Sequence, residues 1–138
     1  MAVAFVFPGQ GSQIVGMGKG LAEAFAPARQ VFEEVDAALG ERLSDIIWNG
    51  PAETLTLTQN AQPALMAVSL AAIRVLEAEA GLKLARDAAF VAGHSLGEYS
   101  ALAAMRVLEA EAGVNLARDA AFVAGHSLGE YSALAAAQ

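Results

Sequence analysis

The sequence predicts an α/β fold in which a partial parallel sheet is flanked by helices, and three observations support this prediction. A short apolar run at residues 2–7 stops at Pro8 and Gly9, as a buried strand does. The stretch Val91–Ser100 begins as a second apolar run and turns through a Gly-x-Ser-x-Gly motif into a helix-prone segment. Patterns typical of helices lie between the two runs, so strands and helices alternate along the chain.

The first element is a strand over residues 2–7, which we expect to be buried on both faces because it contains no polar residue. The polar loop Pro8–Gln13 follows, at the end of the strand where open α/β sheets place ligand sites. Its glycines can expose backbone amides to an anionic or carbonyl oxygen, although a plain turn is the simpler alternative. Ile14 stands where a dinucleotide-binding fingerprint needs its third glycine, and the loop contains no P-loop motif.

A helix is predicted from Pro27 to Gly40, because proline favours the first helical turn and glycine ends helices. Apolar residues recur at helical spacing on one side, and acidic residues that we expect to be solvated lie on the other. The apolar stripe contains Val31 or Phe32, Val35 and Leu39, and the acidic face contains Glu33, Glu34 and Asp36.

Two further helical segments precede the second strand. The first is a short apolar turn over residues 43–48 that stops at residues 49–51, and its Trp48 is expected to pack in the core. The second begins at Pro63, runs to Ala80 and stops at Gly81. It has few polar positions before Arg74, so we expect it to be largely buried.

The motif around Ser95 is a candidate nucleophile elbow, a sharp turn between a strand and a helix. Gly93 and Gly97 remove the Cβ atoms that would clash where the chain reverses. The serine hydroxyl then projects from the tip, and the amide of Leu96 points from the helix N-terminus toward a developing oxyanion. The alternative is an ordinary strand-to-helix turn whose glycines satisfy backbone geometry alone.

The elbow occurs twice, because residues 70–101 align without a gap with residues 102–133. The two units differ at only three positions, and the second places Ser127 where the first has Ser95. A period repeated twice is too short for a solenoid, so we interpret it as a tandem duplication. Each unit contains the end of a helix, a strand and an elbow, which predicts parallel strands.

Composition excludes several classes of function. The 138 residues carry a net charge of −7 and only eight Lys and Arg, which argues against nucleic-acid binding. The absence of cysteine and the presence of only two histidines argue against a metal site. The N-terminus lacks the basic residues of a signal peptide. The longest uncharged apolar helical segment, Ala64–Ile73, is too short to cross a membrane, so we expect a cytoplasmic protein without membrane contact.

The motifs FVFPGQGSQ…GMG, TQNAQPAL and GHSLGEYSAL, in this order, resemble the malonyl-CoA:acyl-carrier-protein transacylases and the related acyltransferase domains of polyketide synthesis. The resemblance covers the whole chain and implies the hydrolase-like core of an acyltransferase domain over residues 1–138. It implies malonyl-CoA as substrate, acyl carrier protein as partner and no permanently bound cofactor. Ser95 would be the nucleophile, with the amides of Gln10 and Leu96 forming the oxyanion hole. Ser127 and Leu128 are the second choice, because the separation of Ser95 from Gln10 is similar to that in the family.

The resemblance also marks what the chain does not contain. The family's general-base histidine, its carboxylate-binding arginine and its ferredoxin-like subdomain all lie beyond the point that matches Gln138. His94 and its repeat His126 are not expected to replace that base, because adjacent elbow residues point apart. We therefore expect a truncated transacylase with weak or no activity of its own. The alternatives are a serine esterase, against which the PGQGSQ loop argues, and a non-catalytic binder of carrier protein or coenzyme A.

Overall fold

A computed structural model describes residues 3–112 of the chain. These residues belong to two compact units, which we call the sheet unit (residues 3–9 and 82–112) and the helical unit (Gln10–Gly81). The elements in chain order are β1 (Val3–Phe7), α1 (Lys19–Ala24), α2 (Ala26–Leu39), α3 (Leu43–Asn49), α4 (Ala52–Thr56), α5 (Thr58–Ala80), α6 (Leu84–Asp87), β2 (Ala88–Gly93) and α7 (Leu96–Ala112).

The sheet unit contains β1 and β2 side by side, and α7 packs against both strands. The strands run parallel, with Ala4 opposite Phe90 and Phe7 opposite Gly93, after an irregularity next to Val3. The predicted α/β architecture with a small parallel sheet and helices is therefore confirmed.

Burial of β1 differs from the prediction. Phe7 is buried, but Val6 is 72% exposed and Phe90 of β2 is also exposed. Successive side chains of a strand point to opposite faces, which puts Phe7 on one face and Val6 on the other. The expectation of burial on both faces is wrong for this strand. Both faces of an all-apolar strand are equally apolar, so the sequence of the strand does not indicate which face packs against other elements.

The core of the helical unit lies between α2 and α5. Helix α3 packs against both of them, and α4 packs against α5. Small residues of α5 recur at spacings of three and four, so they lie on one face and allow close approach of α2. Trp48 packs edge-on against Phe32 at a ring-centroid distance of 5.0 Å, as expected of a core residue. The buried residues of this core are Ala22, Ala28, Val31, Phe32, Leu43, Ile47, Leu55, Ala64, Ala67, Ala71 and Val75.

Helix α2 begins at Ala26, one residue before the predicted start, and ends as predicted, with Gly40 in the left-handed conformation (φ 69°) after its last residue. Two details of its faces are corrected. Leu39, predicted on the apolar stripe, is 45% exposed. Asp36, predicted to be solvated, accepts hydrogen bonds from the backbone N–H (2.9 Å) and the hydroxyl (2.5 Å) of Ser44. These bonds satisfy donors at the start of α3, which sequence periodicity within α2 does not reveal.

Helix α5 begins at Thr58 and not at Pro63, so the predicted start is wrong by five residues. The amides of Asn60 and Ala61 donate to the Leu57 carbonyl at 2.9 and 2.8 Å and begin the helix before the proline is reached. With 23 residues, α5 extends beyond the uncharged segment Ala64–Ile73 and is long and apolar enough to cross a membrane by length and composition alone. The core helix of a soluble protein meets the same criterion, and one face of α5 lies in the core.

Candidate active site

The chain reverses between β2 and α7 within two residues, His94 and Ser95. The His94 N–H donates to the Phe7 carbonyl at 3.2 Å and so extends the parallel pairing one residue past the strand. Ser95 then adopts φ 53°, the only positive φ of a non-glycine residue within residues 3–112. Such a conformation costs on the order of 1–3 kcal/mol, and it is the conformation that a nucleophile elbow imposes on its serine.

Glycines are required around the serine because backbones meet there. A Cβ on Gly93 would overlap the backbone of Gly97, and a Cβ on Gly97 would overlap the carbonyl oxygen of Phe7. A Cβ on Gly9 would lie 2.5 Å from the His94 carbonyl oxygen and 2.9 Å from its imidazole Nδ1. The end of β1, the first two loop residues and the elbow therefore pack backbone to backbone inside the sheet unit.

Helix α7 starts directly after Ser95, and its first backbone N–H groups differ in whether they are bonded to an acceptor. The Gly97 N–H donates to the His94 carbonyl at 2.9 Å, and the Glu98 N–H donates to the Ser95 carbonyl at 3.1 Å. Within the described part of the chain, no acceptor is bonded to the Leu96 N–H. This donor lies at the positive end of the helix dipole, where an anion is stabilised.

The loop residue Gln10 belongs to the helical unit, where its side chain is held at both ends. Its Nε2 donates to the Thr58 hydroxyl at 3.2 Å, and its Oε1 accepts from Gln62 Nε2 at 3.4 Å. The neighbouring Gly11 N–H donates to Gln13 Oε1 at 2.8 Å. No acceptor among residues 3–112 is bonded to the Gln10 N–H, which leaves this amide available to a ligand.

The structure thus places Gly93, His94, Ser95, Leu96 and Gly97 at one turn of the sheet unit and Gln10 in the helical unit. Ser127, Leu128 and His126 of the second repeat lie outside the described residues.

Two buried polar residues of α7 were missed by the sequence interpretation. Glu98 is 3% exposed and Ser100 is fully buried. The Ser95-x-x-Glu98 spacing, that of a capping box, could have pointed to Glu98 as a residue of the elbow. Within the described range, no group of three His, Cys, Asp or Glu side chains is arranged to hold a metal ion.

A family profile described as "Acyl transferase domain" matches residues 4–119. The chain belongs to this family. The resemblance stated from the PGQGSQ, TQNAQPAL and GHSLGEYSAL motifs is thereby confirmed.

Relatives within the family carry more specific names. The chain is 52% identical over 100 residues to a malonyl CoA-acyl carrier protein transacylase of Bacillus subtilis, covering 72% of this chain and 30% of the relative. It is 39% identical over 97 residues to the human mitochondrial malonyl-CoA-acyl carrier protein transacylase, covering 70% of this chain and 24% of the relative. The chain therefore spans about a third or less of the length of these relatives.

Solved structures of the family agree with the fold. An acyl-carrier-protein-S-malonyltransferase from Bartonella henselae superposes with a TM-score of 0.73 at 68% identity, covering 75% of this chain and 33% of that chain. A malonyl-transacylase solved in complex with a type II polyketide synthase acyl-carrier protein superposes with a TM-score of 0.69 at 45% identity, covering 75% and 32%.

Proposed function

We propose that this chain carries the nucleophile of a malonyl transferase, with Ser95 forming the ester and malonyl-CoA and acyl carrier protein as donor and acceptor. The observation that carries the proposal is the positive φ of Ser95 at a strand-to-helix turn, in a chain of the acyl transferase family. The names of the relatives support malonyl as the acyl group and acyl carrier protein as the partner.

In the proposed reaction, Ser95 Oγ attacks the thioester carbonyl carbon of malonyl-CoA and gives up its proton. The tetrahedral intermediate collapses with cleavage of the carbon–sulfur bond, and coenzyme A leaves as the thiol after taking up a proton. The phosphopantetheine thiol of the carrier protein then attacks the serine ester, and Ser95 regains its proton as the malonyl thioester forms. Both steps pass through an oxyanion, which donors placed in advance stabilise.

We assign the oxyanion donors to the backbone amides of Leu96 and Gln10. Support for Leu96 comes from its place at the helix N-terminus and from its N–H, which is not bonded to an acceptor within residues 3–112. Support for Gln10 comes from its place in the PGQGSQ loop, to which the family resemblance assigns this role, and from its N–H, which is not bonded to an acceptor among residues 3–112.

We assign His94 to the elbow and not to general-base catalysis. Its imidazole Nδ1 lies against the Gly9 backbone, which favours a role in fixing the turn. The chain has only two histidines, His94 and His126 in the equivalent place of the second repeat. Loss of the base histidine in a serine protease costs on the order of 10⁶-fold in kcat, so we expect slow acylation of the 138-residue chain.

The test is to incubate the chain with malonyl-CoA and map the ester by mass spectrometry. Trypsin cleavage after Arg86, Arg106 and Arg118 places the two serines in peptides 87–106 and 119–138, which differ in sequence. We expect a malonyl increment on peptide 87–106 that is lost in Ser95→Ala and retained in Ser127→Ala. A malonyl ester found only on peptide 119–138 would reverse the assignment, and a chain that binds coenzyme A without forming any ester would favour the non-catalytic alternative.

The same experiment separates transfer from hydrolysis. Addition of holo carrier protein should move the malonyl group to its thiol, whereas an esterase would release free malonate without the carrier. We further propose that the chain acts in the cytoplasm. No permanently bound cofactor is needed in this reaction, because the malonyl group arrives already activated as a thioester.

A further inference from the structure

We infer that Thr58 and Gln62 are positioning residues, which hold the Gln10 side chain and thereby fix the Gln10 N–H as an oxyanion donor. The inference rests on the proposed function for its catalytic consequence, but the contacts on which it is built all lie within the helical unit. We call the pair Thr58 and Gln62 the Gln10 clamp.

The helix geometry places both clamp residues on one face. Thr58 is the first residue of α5 and Gln62 lies four residues later, so their side chains are neighbours one turn apart. The two ends of the Gln10 amide are chemically different, and each meets the matching group. The Nε2 donor faces the Thr58 hydroxyl oxygen at 3.2 Å, and the Oε1 acceptor faces Gln62 Nε2 at 3.4 Å.

The start of α5 is itself anchored, so the clamp has a fixed base. Asn60, which lies between Thr58 and Gln62 in the sequence, is buried, and its side-chain Nδ2 donates to the Thr54 carbonyl at 2.8 Å. Ala61 is also fully buried, next to Gln62. Movement of the α5 backbone at Thr58 or Gln62 would also move the buried residues Asn60 and Ala61.

The loop needs such an anchor because its own backbone is permissive. Gly11 has φ 107° and no atom within 4 Å of the place that a Cβ would occupy, so packing does not restrain it. Its N–H is already bonded to Gln13 Oε1, whereas no acceptor among residues 3–112 is bonded to the Gln10 N–H. Both bonds are exposed to solvent, so each stabilises only modestly, and the two together favour one orientation of the Gln10 side chain by about fivefold.

The test measures loop order and ester formation separately in the full chain. The variant Thr58→Val+Gln62→Leu removes both partners of Gln10 with little change in side-chain volume. Gln10→Ala removes the contact from the loop side and leaves α5 untouched. Thr58→Ser keeps the hydroxyl, and Gln59→Leu is a matched change at an exposed neighbour on a different face of the helix.

We expect the backbone ¹⁵N order parameter of Gln10 to fall from about 0.85 toward 0.6 in the double variant and in Gln10→Ala, and to stay unchanged in the two controls. We expect the rate of ester formation on Ser95 to fall about fivefold in the same variants, with the malonyl-CoA concentration at half-saturation unchanged, because an oxyanion donor acts in the transition state. Thr58→Ser should retain the wild-type rate.

Three results would overturn the inference. An unchanged order parameter of Gln10 in both variants would show that the clamp does not hold the loop. A loosened loop with an unchanged rate would show that the clamp has no positioning role. An equal loss of rate in Gln59→Leu would show that the rate falls because α5 is destabilised and not because the clamp is lost. If the wild-type chain forms no ester at all, the proposed function fails, while the order parameters still decide whether the clamp exists.

Discussion

Replacing Gly97 with alanine tests whether the elbow depends on backbone contact between α7 and β1. The added Cβ would overlap the Phe7 carbonyl oxygen and lie 2.9 Å from the Pro8 carbonyl oxygen. Both are backbone atoms, so no side-chain rotation can relieve the overlap and α7 has to move away from the strand.

The expected size of the effect follows from two opposing contributions. Overpacking of this kind costs up to ~3 kcal/mol, whereas alanine in place of glycine in a helix gains ~1 kcal/mol. The difference is a net loss of ~2 kcal/mol in the free energy of unfolding, which lowers Tm by roughly 8 °C for a chain of this size. Urea and thermal unfolding followed by circular dichroism measure both quantities.

Gly20→Ala is the matched control, because a Cβ on Gly20 of α1 meets no atom within 4 Å. It should raise stability by about 0.5–1 kcal/mol. The reasoning is refuted if Gly97→Ala unfolds at or above the temperature of the unsubstituted chain.

Two further predictions concern single polar groups. Hydrogen bonds from the Arg86 side chain and the Lys83 N–H lower the pKa of Asp87 from 3.8 to about 2. Because the folded-state pKa is depressed, its contribution to stability is full above pH 3.8 and is lost as the pH falls through about 2, so Asp87→Asn should flatten the pH dependence of the urea midpoint in that window. An unchanged slope would contradict this. The Ser100 hydroxyl is fully buried with no hydrogen-bond partner in the described part of the chain, so Ser100→Ala should stabilise the protein by about 1 kcal/mol. A loss of stability would show that the hydroxyl is bonded.

The elements that the sequence predicts well are those whose cause is local. Gly40 and Gly81 end α2 and α5 with φ values of 69° and 64°, a conformation that glycine adopts at little cost. The run over residues 88–93 is a strand and the segment after Ser95 is a helix, as the Gly-x-Ser-x-Gly context predicts. In each case the decisive residues are neighbours in the chain.

The errors arise where the decisive partner is distant in the chain or lies outside the element considered. Asp36 was predicted to be solvated, but Ser44 occupies its carboxylate. Pro63 was predicted to begin α5, but the helix starts at Leu57–Thr58 and continues through the proline. Because of this error the sequence analysis also missed the contacts of Thr58 and Gln62 with Gln10, which lies 48 and 52 residues before them in the chain.

The sequence by itself determined the family, the elbow and the glycines that the elbow requires, because backbone sterics and apolar spacing depend on residues that are close together in the chain. The family-like separation from Gln10 favoured the first repeat, but the side chains alone could not decide which of two identical runs, 88–93 or 120–125, lies beside β1, because identical side chains have the same pairing preference. The tertiary structure pairs residues 88–93 with β1 and so puts Ser95 at the end of the sheet. It also decided that Glu98 and Ser100 are buried, since burial depends on what packs against α7 and not on the helix alone.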